Sequence, residues 1–338
     1  MTISPHLGSD SSPPAKVGPG VSYVDAVEGD VGQRLDNYLL RILKNVPKSH
    51  IYRVVRKGEV RVNGKRAKPD TRLALGDKVR IPPIHVDQAP QRSVPSQSLQ
   101  QFITDAILYE DKDLLIVNKP PGVAVHGGSG LAFGVIEALR AARPELIELE
   151  LVHRLDRDTS GVLLIAKRRA ALRELHAAMR EREMTKRYLA LVVGRWALGK
   201  KRIDLPLLTN QKQGGERMVR VHPEGMSALS TFVPEQHFGQ HASLMAIEIG
   251  TGRTHQIRVH AAYAGHPVAG DEKYGNKAGN EALKEFGLKR MFLHAQSLEF
   301  IHPGTGQVFH ISAPLSDELT GVLENLKRAT AKGKRAEG

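Results

Sequence analysis

The sequence predicts an α+β fold in two domains: a small N-terminal domain of two helices and a small sheet, and a larger domain with a mixed or antiparallel sheet. The chain has 338 residues, whereas single hydrophobic cores rarely extend much beyond about 250 residues. Strand-like and helix-like segments follow one another without a regular strand–helix–strand period, which is typical of α+β architecture. Charge is also unevenly distributed, since one short region near the N-terminus holds most of the net positive charge.

We divide the chain where its composition changes. Residues 1–32 begin with a stretch rich in Ser, Pro and Gly and are predicted to be a flexible tail and lead-in. Residues 33–86 should form the small domain, and residues 87–103, rich in Pro, Gln and Ser, a linker. Residues 104–322 should form the large domain, and residues 323–338 a basic flexible tail.

Cysteine content, hydrophobicity and apolar run lengths exclude several classes of protein. The chain has no cysteine, so disulfides, thiolate metal sites and cysteine nucleophiles are excluded. Hydrophobic residues make up 41% of the chain, which is enough to bury a core and excludes global disorder. No apolar run approaches the roughly 18 residues that span a bilayer, and the N-terminus lacks the apolar core of a signal peptide. We expect a cytoplasmic protein that does not bind membranes.

Local signals define the elements of the small domain. In residues 34–44 apolar side chains recur at helical spacing. Ser49 is positioned to cap a second helix that ends at Gly58, with apolar residues on its inner face and basic residues on its outer face. The dipeptide Asn63-Gly64 follows a short Val-rich strand and predicts a hairpin turn.

Positive charge is concentrated in this small domain. The net charge is +13, and 14 basic against four acidic residues between Arg34 and Arg80 account for +10 of it. A polyanionic partner would explain this concentration, although many proteins are mildly basic without one. Two helices with a basic outer face and a small hairpin sheet resemble the S4 RNA-binding module over Gln33 to Pro82. The resemblance implies that RNA contacts these basic residues: Arg34, Lys48, Arg53, Arg56 and Lys57.

The first candidate site in the large domain runs from His153 to Gly161 and reads His-Arg-Leu-Asp-Arg-Asp-Thr-Ser-Gly. It places Asp156 and Asp158 among two arginines and a histidine, just before an apolar strand. So much charge beside a buried strand needs compensation, because an unpaired buried charge is costly. A loop of structural ion pairs explains the segment as well as a catalytic site does, since such networks also shift pKa values.

The second candidate site precedes and begins a predicted helix. Thr254 is positioned to cap this helix, which Gly265 ends, and Arg258 projects from its first full turn. Arginine carries a permanent charge and a two-pronged fork, so it suits holding a carboxylate ionised in a poorly solvated site. A helix start that binds phosphate without catalysis is an equally good explanation.

The third candidate is Tyr188, at the head of a buried strand. A tyrosine in this position is most often part of the core with a satisfied hydroxyl. If it faces a site, its ring offers a stacking surface and its hydroxyl a group for proton transfer.

Histidines are numerous enough to raise the question of a metal site. His255 and His260 are five positions apart, which does not place them on one face of a helix or of a strand. With no cysteine and no zinc motif containing Glu, we predict no metal site.

These three motifs, in this order after an S4-like module, resemble the RluA-type family of pseudouridine synthases. The resemblance covers nearly the whole chain apart from its ends. It implies that Asp156 is the nucleophile, that Arg258 is its ion-pair partner, and that the ring of Tyr188 lies against the target base. It also implies that Arg154 binds RNA and helps to displace or replace the extruded nucleotide.

The resemblance implies the isomerisation of uridine to pseudouridine in 23S ribosomal RNA by a monomer, without cofactor. The bond between N1 and C1′ breaks, the uracil turns, and C5 joins C1′. A carboxylate can attack C1′, attack C6 of the ring, or stabilise charge while a glycal forms, and the sequence leaves these routes open. A base inside a helix is out of reach, so the nucleotide must be extruded.

Other functions compete with this one. An enzyme of the same family could act on other ribosomal RNA or transfer RNA sites. A non-catalytic S4-type RNA-binding protein would explain the basic domain but leaves Asp156, Tyr188 and Arg258 without a purpose. A metal-dependent hydrolase acting on nucleic acid would explain the charge and the carboxylates, but the sequence lacks a ligand set for it.

Overall fold

The structure, a computed structural model, describes residues 20–43, 46–84, 94–128, 132–211 and 217–336. The chain divides into two compact units, residues 1–93 and 94–338. Much of the predicted N-terminal tail (1–19) and part of the predicted linker (87–93) lie outside the described residues.

The N-terminal unit combines two helices with a small antiparallel sheet. Its elements are β1 (Ser22–Asp25), a 3₁₀ turn (Glu28–Asp30), α1 (Leu35–Ile42), α2 (Lys48–Arg56), β2 (Arg61–Val62), β3 (Lys65–Arg66) and β4 (Lys78–Ile81). The strands lie in the order β1–β4–β2–β3. β1 lies in the predicted lead-in of residues 1–32, yet it is a strand that pairs with β4. Its four residues include a single aliphatic side chain, so the strand has no clear hydrophobic pattern.

The predicted helices of this unit are confirmed, with one correction at a helix start. Apolar residues of both helices are buried together: Leu35, Leu39, Ile42, Ile51, Val54 and Val55. The second helix begins at Lys48, and Pro47 rather than Ser49 occupies the N-cap position. The extended backbone of Pro47 places its carbonyl to accept from the N–H of His50, so the helix starts before Ser49 can cap it. Positive φ angles at Gly58, Asn63 and Gly64 confirm the predicted helix end and hairpin turn.

The C-terminal unit is built on a mixed sheet, as predicted. Its helices are α3 (Gln97–Asp105), α4 (Val135–Ala142), α5 (Arg169–Glu181), α6 (Gln256–Tyr263), α7 (Lys277–Lys284) and α8 (Asp317–Ala336). Its strands are β5 (Ile107–Glu110), β6 (Leu114–Lys119), β7 (Glu150–Leu151), β8 (Ser160–Ala166), β9 (Thr185–Val193), β10 (Lys201–Asp204), β11 (Leu207–Gln211), β12 (Arg217–Val221), β13 (Leu229–Phe238), β14 (Ala242–Ile249), β15 (Leu293–Ile301) and β16 (Val308–Ser312).

The main sheet runs in the order β10–β13–β14–β9–β15–β8–β6–β5, with β16 on β15 and β7 on β8. The pairing of β8 with β15 is parallel, whereas β9 pairs antiparallel with both β14 and β15. A separate hairpin joins β11 to β12. No helix in the part of the chain that the structure describes is long and apolar enough to cross a membrane.

Two helices lie where we predicted a linker and a tail. Helix α3 overlaps the predicted linker; the Ser96 side chain accepts from the N–H of Leu99 at its start, and Ile103 is its buried residue. Helix α8 extends through Ala336, across most of the predicted tail of residues 323–338. Its apolar side chains pack into a core cluster: Leu319, Val322, Leu323 and Leu326. In both helices charged or polar residues outnumber the few apolar residues that become buried. The sequence pattern was therefore typical of a linker and a tail, and tertiary contacts stabilise the helices.

Strand β9 shows how the sheet directs side chains toward the site. Tyr188 and Ala190 belong to one hydrophobic cluster, and Leu189 and Leu191 belong to another on the opposite face. On the other side of β15 from β9, β8 approaches β15 closely at Gly161, where an added Cβ would lie 2.2 Å from the carbonyl oxygen of Ala295. This glycine therefore lets the strand that follows Asp156 pair with β15, one strand away from β9.

Candidate active site

The three predicted sites meet in one pocket of the C-terminal unit. Asp156 lies in the turn before β8, Tyr188 on β9 and Arg258 in the first turn of α6, and all three line the pocket. Arg154 and His255 line the same pocket. The structure therefore brings the three motifs together.

Arg258 contacts two carboxylates, those of Asp156 and Asp271. It makes its two-pronged contact with Asp271, which lies outside the predicted motifs. Its Nη1 donates to Oδ2 of Asp156 at 3.2 Å. Its Nε and Nη2 donate to the two oxygens of Asp271 at 2.7 and 2.8 Å. The ion pair with Asp156 is therefore present, but the two-pronged contact is made with Asp271.

Burial makes this network of charges strongly interdependent. The Asp271 side chain is fully buried, and the N–H groups of Lys273 and Tyr274 also donate to it. Burial alone would raise the pKa of Asp271, but the hydrogen bonds and charge of Arg258, with those backbone donors, lower it. Burial alone would lower the pKa of Arg258, but Asp271 and Asp156 raise it. Arg258 and Asp271 are therefore both ionised at neutral pH.

Tyr188 provides a protonated hydroxyl and a ring to the pocket. It is 9% exposed and belongs to the cluster that also contains Leu155 and Ile257. Burial raises the pKa of Tyr188, and the charge of Asp156 raises it further. The hydroxyl therefore stays protonated at neutral pH.

The start of α6 is organised by a glutamine rather than by the predicted threonine cap. His255, with a left-handed backbone (φ 55°), occupies the N-cap position, and Thr254 lies before it. The amide oxygen of Gln256 accepts from the N–H of Arg253 and the hydroxyl of Thr251, at 3.0 and 2.7 Å. Its amide nitrogen donates to the carbonyl of Leu229 at 2.8 Å. The hydrogen bonds of the Gln256 side chain therefore stabilise the turn that positions Arg258.

A buried lysine holds the loop that carries Asp156. The ammonium group of Lys119 donates to the carbonyls of Pro120, Val123 and Arg157 at 2.7, 2.8 and 2.9 Å. Burial lowers the pKa of Lys119 to about 7. The neighbouring pair Arg157–Asp158 is exposed, with Nε and Oδ1 3.1 Å apart, as a supporting surface ion pair would be.

The predicted RNA contacts are solvent-accessible within their own units. Lys48, Arg53, Arg56 and Lys57 are all exposed on or at the end of α2. Arg34 is also exposed but forms a salt bridge to the buried Asp36, with Nη2 and Oδ2 2.7 Å apart. In the C-terminal unit, Arg154 is exposed where it lines the pocket.

One cluster has the composition of a metal site. Ligand atoms of Asp111, Asp113 and His302 lie within 4.8 Å of one another. The N–H of Gly304 donates to Nδ1 of His302 at 3.1 Å, which assigns the imidazole proton to Nε2, 2.9 Å from Oδ2 of Asp111. A nitrogen that carries a proton cannot ligate a cation, so this tautomer of His302 does not favour a metal site at the cluster. None of these three residues is among the described residues that line the pocket of Asp156.

Asp271, Tyr274 and His255 belong to the site but were not predicted as parts of it. Asp271 and Tyr274 follow α6 in a short turn, and neither belongs to a motif that we singled out. His255 was considered only as a metal ligand, yet it lines the pocket with Nε2 3.8 Å from Oδ2 of Asp156. The polar and glycine residues around Asp271 are typical of a loop, so no specific local signal in the sequence marked Asp271 or Tyr274.

Known proteins share both units. A family model described as RNA pseudouridylate synthase matches residues 113–263, and an S4 domain model matches residues 33–79. The chain belongs to the RNA pseudouridylate synthase family and is an isomerase with an N-terminal S4 domain.

Individual relatives match over almost the entire chain. Ribosomal large subunit pseudouridine synthase C of Escherichia coli O157:H7 is 54% identical over 315 residues, which cover 92% of this chain and 98% of the relative. The protein of the same name from Pasteurella multocida is 52% identical, covering 89% of this chain and 92% of the relative.

Solved structures match the fold. Human RNA Pseudouridylate Synthase Domain Containing 1 is 30% identical with a TM-score of 0.52, covering 62% of this chain and 83% of that protein. Human RNA Pseudouridylate Synthase Domain Containing 4 is 24% identical with a TM-score of 0.57, covering 68% of this chain and 96% of that protein, and supports the fold alone.

Proposed function

We propose that this protein isomerises uridine to pseudouridine in the 23S RNA of the large ribosomal subunit, with Asp156 as the nucleophile. The observation that carries the proposal is the pair of Asp156 and Arg258, with 3.2 Å between Oδ2 and Nη1, in a pocket that also contains Tyr188. The names of the relatives from Escherichia coli and Pasteurella multocida support the choice of ribosomal RNA.

The reaction balances without an outside reagent. The bond between N1 and C1′ breaks, a bond between C5 and C1′ forms, and the proton lost from C5 is matched by the one gained at N1. Arg258 places a positive charge beside the carboxylate of Asp156, which suits the charged form in which a carboxylate acts as a nucleophile. Tyr188 offers its ring to the uracil, as aromatic side chains do to bases taken out of a stack. Arg154, exposed beside the pocket, contacts the RNA where the target nucleotide leaves the helix.

The N-terminal unit supplies affinity for RNA rather than chemistry. Its exposed cations suit phosphate contacts, which position RNA without reading its sequence. We further propose that the enzyme is a monomer and that it acts in the cytoplasm, where bacteria such as those of its relatives make ribosomal RNA.

The experiment is sequence analysis of 23S RNA after incubation with the purified protein, using a chemical probe specific for pseudouridine. The proposal predicts pseudouridine at a few defined positions, absent with the Asp156→Asn variant. Ribosomal 16S RNA and transfer RNA, treated in parallel, test the other substrates. RNA bound without pseudouridine would indicate a non-catalytic binding protein, and cleaved RNA a hydrolase; either result contradicts the proposal.

A further inference from the structure

We propose that His255 is a positioning residue for the isomerisation: held by Tyr274, it presents an Nε2–H donor to Oδ2 of Asp156 and thereby directs Oδ1 toward the nucleotide. This inference rests on the proposed function and deepens it, because it assigns a role to a residue of the same pocket.

The imidazole of His255 lies between the carboxylate and a tyrosine. Its Nε2 lies 3.8 Å from Oδ2 of Asp156, and its Nδ1 lies 2.7 Å from the hydroxyl of Tyr274. The Tyr274 hydroxyl oxygen also accepts from the backbone N–H of Val219 on β12, at 2.9 Å. A chain of polar groups therefore runs from β12 to Asp156, with a separation of 3.8 Å at its last step.

The hydrogen-bond pattern favours one neutral tautomer of His255, the one with its proton on Nε2. The N–H of Val219 can only donate, so it occupies a lone pair of the Tyr274 oxygen. The hydroxyl proton of Tyr274 then has Nδ1 of His255 as its acceptor, and the proton of the neutral ring lies on Nε2. Burial lowers the pKa of His255, the charges of Arg258 and Lys273 lower it further, and those of Asp156 and Asp271 oppose them. The ring is therefore neutral at neutral pH and directs a donor toward Asp156.

Both donors that face the nucleophile approach the same oxygen. Arg258 and His255 lie 3.2 and 3.8 Å from Oδ2. The contacts that Arg258 and His255 make with Asp156 therefore leave its other oxygen, Oδ1, to face the nucleotide. The 3.8 Å separation exceeds an ordinary hydrogen bond of about 2.9 Å, and such contacts often tighten only in the complex with substrate. Closing it anchors Oδ2 at two points and leaves Oδ1 as the reactive atom.

The backbone of His255 is also held in an uncommon conformation. Its φ of 55° is left-handed, which non-glycine residues seldom adopt and which persists only where surrounding contacts impose it. Gln256 and Tyr274 provide those contacts on either side. Tyr274 serves Arg258 as well, since the guanidinium carbon lies 5.1 Å from the centre of its ring.

The test compares His255→Gln with His255→Leu. Both side chains reach about as far as imidazole and face the same left-handed backbone, but only glutamine keeps a donor near the position of Nε2. We expect His255→Leu to lower the single-turnover rate constant at saturating RNA by about 30-fold or more, with RNA affinity within about twofold. His255→Gln should recover most of that loss. Equal rates for the two variants, or His255→Leu at the wild-type rate, would overturn the proposal.

Tyr274→Phe provides a second, independent variant, because it removes the hydroxyl but keeps the ring beside Arg258. We expect it to slow the same step, and the double variant Tyr274→Phe/His255→Leu to be no slower than His255→Leu alone, since both changes act through one donor. Additive losses would contradict the chain of contacts. Melting temperatures identify any variant that fails to fold, and if His255→Leu does, the rates of His255→Gln and Tyr274→Phe decide the question.

A spectroscopic measurement separates this proposal from the function on which it rests. In protein labelled with ¹⁵N at histidine, the ring of His255, assigned by the loss of its signals in His255→Gln, should show the neutral Nε2–H tautomer. Tyr274→Phe should shift this tautomer equilibrium. A neutral Nδ1–H form or a charged ring in the wild type would refute the role of His255 even in an active enzyme. If the wild type forms no pseudouridine in any RNA, the proposed function fails whatever the tautomer.

Discussion

The outer face of α2 and the first turn of α6 both present cations, but in opposite environments. On α2, Arg53 and Arg56 are exposed, and just beyond its end the Lys57 side chain is 64% exposed. On α6, the Arg258 side chain is 10% exposed and bound by two carboxylates. An exposed cation keeps most of its hydration and interacts weakly with any one partner, whereas a buried cation depends on its partners for stability.

This difference assigns different tasks to similar side chains. Exposed cations on α2 can exchange water and counterions for phosphates, each contributing a little to affinity. Arg258 has no such freedom, because moving it would leave Asp271 buried without its partner. We therefore expect substitutions in the pocket to affect rate, and substitutions on α2 to affect affinity.

The largest effect is expected from Asp156→Asn. Asparagine has nearly the same size and keeps one acceptor oxygen, but it is a very poor nucleophile and offers no charge to Arg258. The variant should fold, bind ribosomal RNA with near-normal affinity, and lose activity on the order of 10³-fold or more. Single-turnover pseudouridine assays, binding curves and melting temperatures measure these quantities.

Asp158→Asn is the matched control for this substitution, two positions away. Asp158 is an exposed partner of Arg157, so its loss should reduce rate or stability only modestly. An active Asp156→Asn protein, or a folded but inactive Asp158→Asn protein, would contradict the assignment of the nucleophile.

Arg258→Lys should have the next largest effect. Lysine keeps the charge, but a single ammonium cannot replace the three hydrogen bonds that Arg258 makes to Asp271 and Asp156. We expect a fall of about 10²-fold in the single-turnover rate constant, a lower melting temperature, and little change in RNA affinity. Arg56→Lys on α2 is the control, and it should change none of the three. Near-normal turnover by Arg258→Lys would show that the fork is not needed.

Removing exposed cations from α2 should have a smaller effect, and this effect should be on RNA affinity instead of on rate. In the full chain, Arg53, Arg56 and Lys57 are changed together to Gln. The variant should bind long ribosomal RNA about tenfold more weakly, and the slope of log K against log salt concentration should become shallower by about 2. Single-turnover chemistry at saturating RNA should be kept. Filter binding over a range of salt concentrations, with the rate measured in parallel, tests this division.

The same loss of charge elsewhere is the control for that experiment. Lys327, Arg328 and Lys332 are exposed on α8 of the C-terminal unit, and changing them to Gln should reduce affinity less. Equal losses from the two triple variants would mean that net charge, not the basic face of α2, determines affinity.

The smallest effect is expected from chelation. The pocket chemistry that we propose uses only side chains, and the hydrogen bond from Gly304 to His302 argues against cation binding at the Asp111 cluster. Excess EDTA should leave the single-turnover rate unchanged once the RNA is folded. Complete loss restored by one transition metal would contradict this; partial loss restored by magnesium would reflect the folding of the RNA.

Much of this protein follows from its sequence alone, because local patterns determine local structure. Helical spacing in α1 and α2, the Asn63-Gly64 turn, and the breaks at Gly58 and Gly265 depend on interactions within a few residues. The motifs around Asp156, Tyr188 and Arg258 identified the family and the three residues that meet in the pocket. Charge counting located the basic domain.

Tertiary structure decided what depends on distant parts of the chain. β1 is a strand because β4 pairs with it, and α8 is a helix whose few apolar side chains find a core. The N-caps at Pro47 and His255 depend on backbone geometry that side-chain preferences do not reveal. The fork of Arg258 meets Asp271, not Asp156, because only folding determines which of two carboxylates lies in the plane of a guanidinium.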